Sequence, residues 1–292
     1  MELNRKLFKG GIIIIIIILV FSLGISLYLK LDKPIFLKSY MEIDLPINNN
    51  GKVEFELRYI TNINDDRVVN NIEFEEVPGI FVNASEFNSG SLNFFGNQNN
   101  SMPGQVEGRY SIRSIYIWVE GFGIENPLDE MHITKAKIHF NNGDSMEAEI
   151  GDIVLYGYNN TNEHFEYQSG SSSSDGTTNN QLQVKKDITL LGIESSLLQQ
   201  TKDFIEIKIG NVDYDKISGI KYSQGDKLRI DTLFKTPEDP ILKFYNYNIH
   251  PNLIYKDNEG NIFTHRVYNV DYRNYNFEFK EIVKFLRARG EI

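Results

Sequence analysis

The chain has 292 residues, a formal net charge of −10 and no cysteine. An acidic chain repels phosphate backbones, which argues against nucleic acid as a partner. The lack of cysteine excludes disulfide scaffolding, thiolate zinc sites, thiol catalysis and cysteine lipidation. Isoleucine, asparagine and lysine are frequent, as AT-rich codons produce, so we interpret the chain as bacterial.

The first predicted element is an uncharged stretch from Gly10 to Leu29 that contains seven consecutive isoleucines. At about 1.5 Å per residue, a helix of this length covers roughly 30 Å, the thickness of a bilayer core. We predict a retained transmembrane anchor over residues 10–30. The alternative is a cleaved signal peptide, for which Ser22–Gly24 is a poor cleavage site. The predicted anchor residues are Ile12, Ile15, Ile18, Leu19, Phe21 and Tyr28.

The orientation of this anchor does not follow from the flanking charges. Three basic residues precede it and three follow it before residue 39, so the positive-inside rule favours neither side. A short tail stays in the cytoplasm more readily than a long carboxy-terminal portion. We therefore expect a cytoplasmic tail at 1–9 and a single-pass protein of the cell membrane whose remaining chain is extracytoplasmic.

After the anchor, apolar residues recur at every second position, which is the pattern of strands with one buried face. The stretch "KVEFELRYI" shows this alternation, whereas Tyr110–Gly121 is apolar on both faces and predicts a central strand. The turn "NNGD" at Asn141–Asp144 predicts a hairpin, because Asn-Gly tolerates positive φ angles. These elements predict a first β-sandwich module over 38–156.

The same alternation resumes in a predicted second β-sandwich module over 187–292. It includes a hairpin that turns at Asp257–Asn261 and ends in "EIVKFLRARG", a short closing helix. Between the modules, residues 157–186 contain "SGSSSSDGTTNN", which predicts a flexible linker. Alternatively, this segment is a disordered loop inside one larger β domain. The predicted fold class is mainly β: one transmembrane helix followed by two immunoglobulin-like β-sandwich modules.

The sequence contains no recognisable catalytic motif. The histidines form neither an H-x-H pair nor H-E-x-x-H, and neither G-x-S-x-G nor a phosphate-binding glycine loop occurs. We therefore assign no catalytic residue, metal or cofactor. The acidic turns at Asn62–Asp66 and Asp257–Asn261 offer oxygen ligands for calcium, but turn formation explains both.

Four residues are candidates for partner binding. Asn83–Gly108 has the composition of a long loop, and it carries Leu92, Phe94 and Phe95 among small polar residues. This loop either packs on its own module or recognises a partner. Trp118 is a further candidate, because an aromatic ring can stack on a sugar.

In general layout the chain resembles the membrane-tethered immunoglobulin-like modules of bacterial cell envelopes. We hypothesise that it binds or positions an envelope protein or a wall polymer without catalysis. The alternatives are an exported enzyme acting on cell-wall glycans through carboxylates, and an accessory or sensor subunit of a membrane complex. A deep cleft lined by carboxylates with raised pKa values would favour the enzyme.

Overall fold

The computed structural model describes residues 2–46, 52–77, 80–87, 104–120, 130–158, 163–173, 175–266, 270–274 and 277–292. In these ranges the chain begins with one long helix and continues as a mainly β body. The helices are α1 (Glu2–Tyr28), α2 (Leu198–Thr201) and α3 (Phe279–Ala288), with short 3₁₀ turns at Tyr214–Lys216 and Leu242–Phe244.

The strands divide at residue 158 into an earlier and a later set. The earlier strands are β1 (Ile35–Leu37), β2 (Ser39–Pro46), β3 (Lys52–Asn62), β4 (Val69–Glu73), β5 (Phe81–Ser85), β6 (Gln105–Glu107), β7 (Tyr110–Glu120), β8 (Met131–Phe140) and β9 (Ser145–Tyr158). The later strands are β10 (Phe165–Ser172), β11 (Thr177–Val184), β12 (Ile188–Glu194), β13 (Ile205–Ile209), β14 (Val212–Asp213), β15 (Lys221–Tyr222), β16 (Lys227–Phe234), β17 (Asn246–Ile249), β18 (Asn252–Asp257), β19 (Ile262–Arg266) and β20 (Val270–Tyr272).

Two sheets pack around the first core. Sheet 1 has the order β1–β3–β7–β5, with β6 also paired to β7, and sheet 2 has the order β20–β17–β2–β9–β8–β4. Sheet 1 contributes Leu57, Ile115 and Ile117 to this core, and sheet 2 contributes Ile138 and Ile153. Because each sheet buries one apolar face against the other, the pair forms a β-sandwich.

Two further sheets share the second core. Sheet 3 has the order β10–β11–β16–β13–β14, and sheet 4 has the order β15–β12–β18–β19. Leu182, Ile207 and Ile230 of sheet 3 lie in one buried cluster with Leu190 and Leu253 of sheet 4. The apolar face of α3 belongs to the same cluster. The predicted mainly β fold class is confirmed.

The two halves of the chain meet in sheet 2. β17 pairs in parallel with β2, through Asn246↔Ser39, Tyr247↔Tyr40 and Asn248↔Met41. β20 then pairs with β17. Strands from both predicted modules therefore belong to one sheet, and the proposed boundaries at 38–156 and 187–292 stay a prediction.

The structure corrects the predicted flexible linker over 157–186. β10 and β11 form an antiparallel hairpin there, and β11 pairs along its length with β16. Phe165, Asn180, Leu182 and Val184 are buried. Short polar residues form a strand when neighbouring strands complete its hydrogen-bond ladder and one of its faces packs on a core. Neither condition can be recognised from amino-acid composition.

Several local predictions are confirmed. β7 lies between β3 and β5, as a strand apolar on both faces should. The hairpin between β8 and β9 turns at Gly143 with φ of 91°, and the hairpin between β18 and β19 turns at Gly260 with φ of 88°. The closing helix is α3, whose residues Ile282 and Phe285 are buried.

Helix α1 is long and apolar enough to cross a bilayer. Its segment Phe8–Tyr28 has 21 residues and a mean hydropathy of 2.9, and none of that apolar window is buried. The predicted anchor residues are between 43% and 69% exposed: Ile12, Ile15, Ile18, Leu19, Phe21 and Tyr28. Such a helix fits a membrane anchor, and it also fits a signal sequence.

Candidate functional site

A polar groove of about 550 Å³ lies on sheet 3. It runs across the β10–β11 hairpin and the neighbouring strands β16 and β13. Its lining consists mainly of hydroxyl, amide and charged side chains: Ser171, Ser172, Ser173, Thr177, Thr178, Asn179, Glu206, Lys208, Arg229, Asp231, Thr232 and Leu233. Small-molecule sites are usually concave and mostly apolar with a few convergent polar groups, so this groove is more polar than the usual small-molecule pocket.

The alternation of β16 and β13 explains why charged side chains line this groove. In Lys227–Phe234 and in Ile205–Ile209, every second residue is buried, so the residues between them point away from the core. The strand register then aligns these outward residues, because Asp231 pairs with Lys208 on one side and with Asn179 on the other. One row of donors and acceptors therefore crosses three strands.

Ion pairs and hydrogen bonds hold the charged groups of the groove in place. The Nε of Arg229 lies 3.0 Å and 2.8 Å from the two carboxylate oxygens of Asp231, and its Nη2 lies 2.8 Å from Oδ1. This hydrogen bonding raises the pKa of Arg229. Asn179 also donates to Asp231, and Lys235 pairs with Glu206. The groove thus presents fixed polar groups of both signs with little net charge.

A second depression of about 340 Å³ adjoins the groove at the tip of the same hairpin. Ser172, Ser173 and Thr178 line both depressions. At the tip, the Asp175 carboxylate accepts the Thr177 hydroxyl at 2.6 Å, and this hydrogen bond lowers the pKa of Asp175. The hairpin within the predicted linker therefore shapes both depressions.

The candidate partner-binding residues from the sequence do not line this groove. Leu92, Phe94 and Phe95 lie outside the described residues. Trp118 is half-buried on sheet 1, between Glu54 on β3 and a residue of β5 in the strand register. The structure places Trp118 on a different sheet from the groove.

Sequence reasoning missed the groove because its β10–β11 wall was interpreted as a linker. One signal was present in the sequence. In Thr177–Val184 the buried positions are Asn180, Leu182 and Val184, a spacing of two. Because one of these three buried positions is an asparagine, the alternation of apolar and polar residues in this strand is difficult to recognise from the sequence.

Two acidic side chains of the described structure are enclosed and face no groove. The Glu86 side chain is 0% exposed and accepts a hydrogen bond from the Tyr59 hydroxyl at 2.7 Å, with the Arg113 guanidinium at 3.9 Å. Burial raises the pKa of Glu86. Glu42 is also 0% exposed. Neither carboxylate lines the groove, so neither can serve there as a general acid.

His132 belongs to an exposed charged cluster on sheet 2. Its Nδ1 lies 2.8 Å from Asp152 Oδ1, and its Nε2 lies 3.1 Å from Glu130 Oε1. Burial by itself would lower the pKa of His132. The hydrogen bond to Asp152 and the charges of both carboxylates have a larger, opposite effect, so the pKa of His132 is raised. Within the described ranges, no group of three such side chains is arranged to hold a metal ion.

The two acidic turns that could offer calcium ligands use their carboxylates within the turn. Asp257 Oδ1 accepts the backbone N–H groups of Glu259 and Asn261, each at 2.9 Å. Asp65 pairs with Arg67 at 2.8 Å. Both segments are therefore explained as turns stabilised by their own side chains.

The fold and groove define a mainly β protein of stacked sheets that follows one apolar helix. No family model matches the chain, and no curated protein matches it. Among solved structures, 34 chains match. A protein of unknown function from Porphyromonas gingivalis W83 is 7% identical, with 80% of this chain and 97% of that chain covered and a TM-score of 0.26.

Two further matches come from other bacteria. The major pilin subunit of Bacillus cereus is 12% identical, with 84% of this chain and 67% of that chain covered and a TM-score of 0.23. The collagen adhesin of S. aureus is 10% identical, with 83% and 94% covered and a TM-score of 0.19. At such low TM-scores these likenesses carry no argument about the function of this chain.

Proposed function

We propose that the chain is a single-pass protein of the bacterial cell membrane whose sheets lie outside the cytoplasm and hold a wall polymer without catalysis. The observation that carries this proposal is the fusion of an uncovered apolar helix to a β body with a polar groove. The helix keeps the protein at the membrane, and the groove binds the polymer next to it.

The composition of α1 supports retention in a bilayer. Between Phe8 and Tyr28 there are 14 isoleucine, leucine, valine and phenylalanine residues. At about 0.3–0.6 kcal/mol each, they favour insertion by roughly 4–8 kcal/mol in total. A single helix also satisfies its own backbone hydrogen bonds in lipid.

Replacing Ile15 and Ile18 with aspartate tests the anchor. Each aspartate at the helix centre opposes insertion by about 3 kcal/mol, so the pair offsets most of the favourable free energy. We expect the wild-type chain to stay in the membrane pellet during alkaline extraction and the double variant to be released. Leucine at both positions is the matched control. A wild-type chain that is released, or that lacks its amino-terminal helix, would show a signal sequence instead.

A single introduced cysteine tests the orientation. The chain contains no cysteine, so Glu54→Cys provides one reactive thiol on the exposed face of β3. We expect a membrane-impermeant maleimide to label this variant in intact cells. Labelling that requires cell lysis would place the sheets in the cytoplasm.

The chemistry of the groove suits a polyhydroxylated ligand. Each sugar hydroxyl both donates and accepts hydrogen bonds, and the groove alternates acceptors such as Asp231 and Glu206 with donors such as Lys208 and Asn179. The groove lining carries two acidic and two basic side chains, so the groove does not require a charged ligand. Its outward-facing position on sheet 3 is open to a long polymer.

Binding of purified wall polysaccharide to the full-length chain in nanodiscs tests this role. We expect Lys208→Ala to weaken binding about tenfold, equivalent to about 1.4 kcal/mol. Lys227→Ala is the matched control, because Lys227 is exposed on β16 and outside the groove lining. Equal weakening by both variants would indicate non-specific charge attraction. Shortening of the polymer during incubation would favour the exported-enzyme alternative.

A further inference from the structure

The junction between α1 and the β body is fixed by hydrogen bonds. The Asn62 side chain accepts the backbone N–H of Leu31 at 3.0 Å and donates to the Leu31 carbonyl at 2.7 Å. Leu31 is 2% exposed and belongs to the second core. Only two residues lie between Tyr28, the last helical residue, and Leu31 in the core, so the helix has no long flexible tether to the sheets.

The turn between β6 and β7 contacts the end of α1 directly. Arg109 Nη1 donates to the Ser26 carbonyl at 2.6 Å, and the Tyr110 hydroxyl donates to the Leu29 carbonyl at 2.7 Å. A cation at the carboxyl end of a helix is favoured by the helix dipole and satisfies carbonyl groups left without helical partners. The edge of sheet 1 therefore lies at the carboxyl end of α1.

Helix α3 lies beside the same junction. The Phe279 ring stacks on Tyr110 with 5.9 Å between centroids, and the Arg287 guanidinium lies 5.9 Å from the centre of the Tyr28 ring. The carboxyl end of α3 thus contacts Tyr28 at the end of α1 directly, and its amino end contacts Tyr110, which bonds to Leu29 just after α1. A tyrosine in this position of a membrane helix lies at the level of the headgroups.

The outer face of α3 is basic. Ile282, Phe285 and Leu286 point into the core, whereas Lys280, Lys284 and Arg287 are exposed. Spacings of four and three residues place these three cations in one stripe along the helix. The acidic residue of α3, Glu281, pairs with Lys284 at 3.1 Å and also with Lys243.

The three cations and one carboxylate of α3 give it a net charge of +2, beside the exposed carboxylate of its N-cap Glu278, whereas the chain as a whole has a net charge of −10. Lys30 and Lys33, directly after α1, are exposed as well. Two apolar side chains interrupt the basic surface: Phe279 is 38% exposed and Ile63, whose N–H bonds to the Arg109 carbonyl, is 42% exposed. Cations around exposed apolar side chains are typical of surfaces that rest on a bilayer.

We propose that this juxtamembrane face, formed by α3 and the β6–β7 turn, lies on the bilayer and binds anionic lipid headgroups. It rests on the proposed membrane anchoring, because α1 brings the face to the lipid surface. The cations contact headgroup phosphates, and Phe279 enters the boundary between headgroups and acyl chains. The sheets are then held at a fixed orientation on the membrane.

Site-directed spin labelling of the full-length chain tests the proposal. Glu278→Cys places a nitroxide at the start of α3, where the native side chain makes no capping hydrogen bond. The chain is reconstituted into nanodiscs of phosphatidylcholine alone or mixed with phosphatidylglycerol. We expect the label to lose most of its accessibility to a water-soluble nickel complex only in the anionic discs. A label at Glu54, eight residues along β3 from Asn62 and roughly 26 Å away, stays accessible in both.

Charge substitutions provide the second arm. In the Glu278→Cys background, Lys280→Gln, Lys284→Gln and Arg287→Gln together should restore accessibility in anionic discs. The matched control replaces exposed lysines of other elements with glutamine and should keep the label shielded: Lys221, Lys227 and Lys256.

Three results would overturn the proposal. The label could be equally accessible in neutral and anionic discs, or the two triple variants could behave alike. Both results leave the anchor intact and refute only the juxtamembrane face. A chain that fails to enter nanodiscs at all would overturn the anchor and this inference together.

Discussion

Replacing Glu42 with alanine should destabilise the protein and separate its two halves. The Glu42 carboxylate is fully buried on β2 and accepts three hydrogen bonds from distant parts of the chain. Its Oε1 accepts the Ser195 hydroxyl at 2.7 Å and the Tyr156 hydroxyl at 3.0 Å, and its Oε2 accepts the His250 N–H at 2.6 Å. Ser195 and His250 belong to the later half of the chain, so this one side chain bonds across the halves.

The size of this loss of stability follows from the hydrogen-bond donors that lose the Glu42 carboxylate as their acceptor. Removing the carboxylate deprives the half-buried Ser195 hydroxyl and His250 N–H of their acceptor, at about 1–3 kcal/mol each when unpaired, whereas the Tyr156 hydroxyl keeps Ser196 Oγ at 3.1 Å. We expect a net loss of about 3 kcal/mol for Glu42→Ala. Glu42→Gln, which keeps the shape and acceptor oxygen, should lose about half as much. Glu149→Gln is the exposed control and should change stability by less than about 0.5 kcal/mol.

Urea unfolding of the full-length chain in detergent measures this effect with two probes. Fluorescence of Trp118, the single tryptophan, reports on sheet 1, and circular dichroism reports on all sheets. In the wild type we expect the two transitions to coincide, because the halves share sheet 2. In Glu42→Ala they should separate. A free energy of unfolding within about 0.5 kcal/mol of wild type would refute the reasoning.

Two further predictions concern pH and backbone space. Burial lowers the pKa of His265 from 6.5 to about 4. As pH falls, the His265 imidazole is therefore protonated in the unfolded chain before it is protonated in the folded chain. About 3 kcal/mol of stability should be lost as pH falls from 6.5 towards 4. His265→Phe, followed by thermal unfolding across this range, should flatten the loss. Gly151→Ala should destabilise more than Gly143→Ala by about 1–3 kcal/mol, because its added Cβ would lie 2.2 Å from the Ser39 carbonyl oxygen, whereas that of Gly143 meets open space.

Each of these predictions has an outcome that contradicts it. An unchanged pH profile in His265→Phe would mean that His265 titrates alike in the folded and unfolded chain. Equal stability of the two alanine variants would mean that only the positive φ matters, since both glycines have it: 106° for Gly151 and 91° for Gly143. The urea concentrations at the unfolding midpoints of Gly151→Ala and Gly143→Ala measure this difference in stability.

Much of the fold could be predicted from local alternation. β8 from Ala136 to Phe140 and the first half of β3, up to Leu57, bury every second side chain, so their sequences carry the pattern directly. From Leu57 to Thr61, β3 is buried on both faces. The hairpins at Asn141–Asp144 and Asp257–Asn261 were predictable for a different reason. Their turn residues adopt conformations that few other residues tolerate.

The sheet arrangement could not be predicted because it depends on pairing between distant residues. Asn246 pairs with Ser39 across more than two hundred positions, and nothing in either short strand specifies its partner. The same holds for Glu42, an acidic residue that looks like a surface residue in the sequence. Its donors come from three separate segments, and they are visible only once the sheets are assembled.

The candidate site was hidden by its composition. The β10–β11 hairpin is rich in serine, threonine, asparagine and glycine, which also form linkers. Here the strand is stabilised by the ladder to β16 on one side and β10 on the other. A polar strand with one partly buried face is therefore a feature that sequence reasoning confuses with disorder, and at this position it forms the wall of the groove.

The second core links the groove to helix α1. Leu228 and Ile230, the inward neighbours of the groove residues on β16, lie in the same buried cluster as Leu31, which follows α1. Elements that share a close-packed core keep fixed positions relative to one another, because the side chains between them have little room to shift. The groove is therefore held at a defined place relative to the end of α1. Under the proposed function, a polymer bound in the groove would be oriented by α1 as well as retained by it, which favours a role in positioning the polymer over one in capture alone.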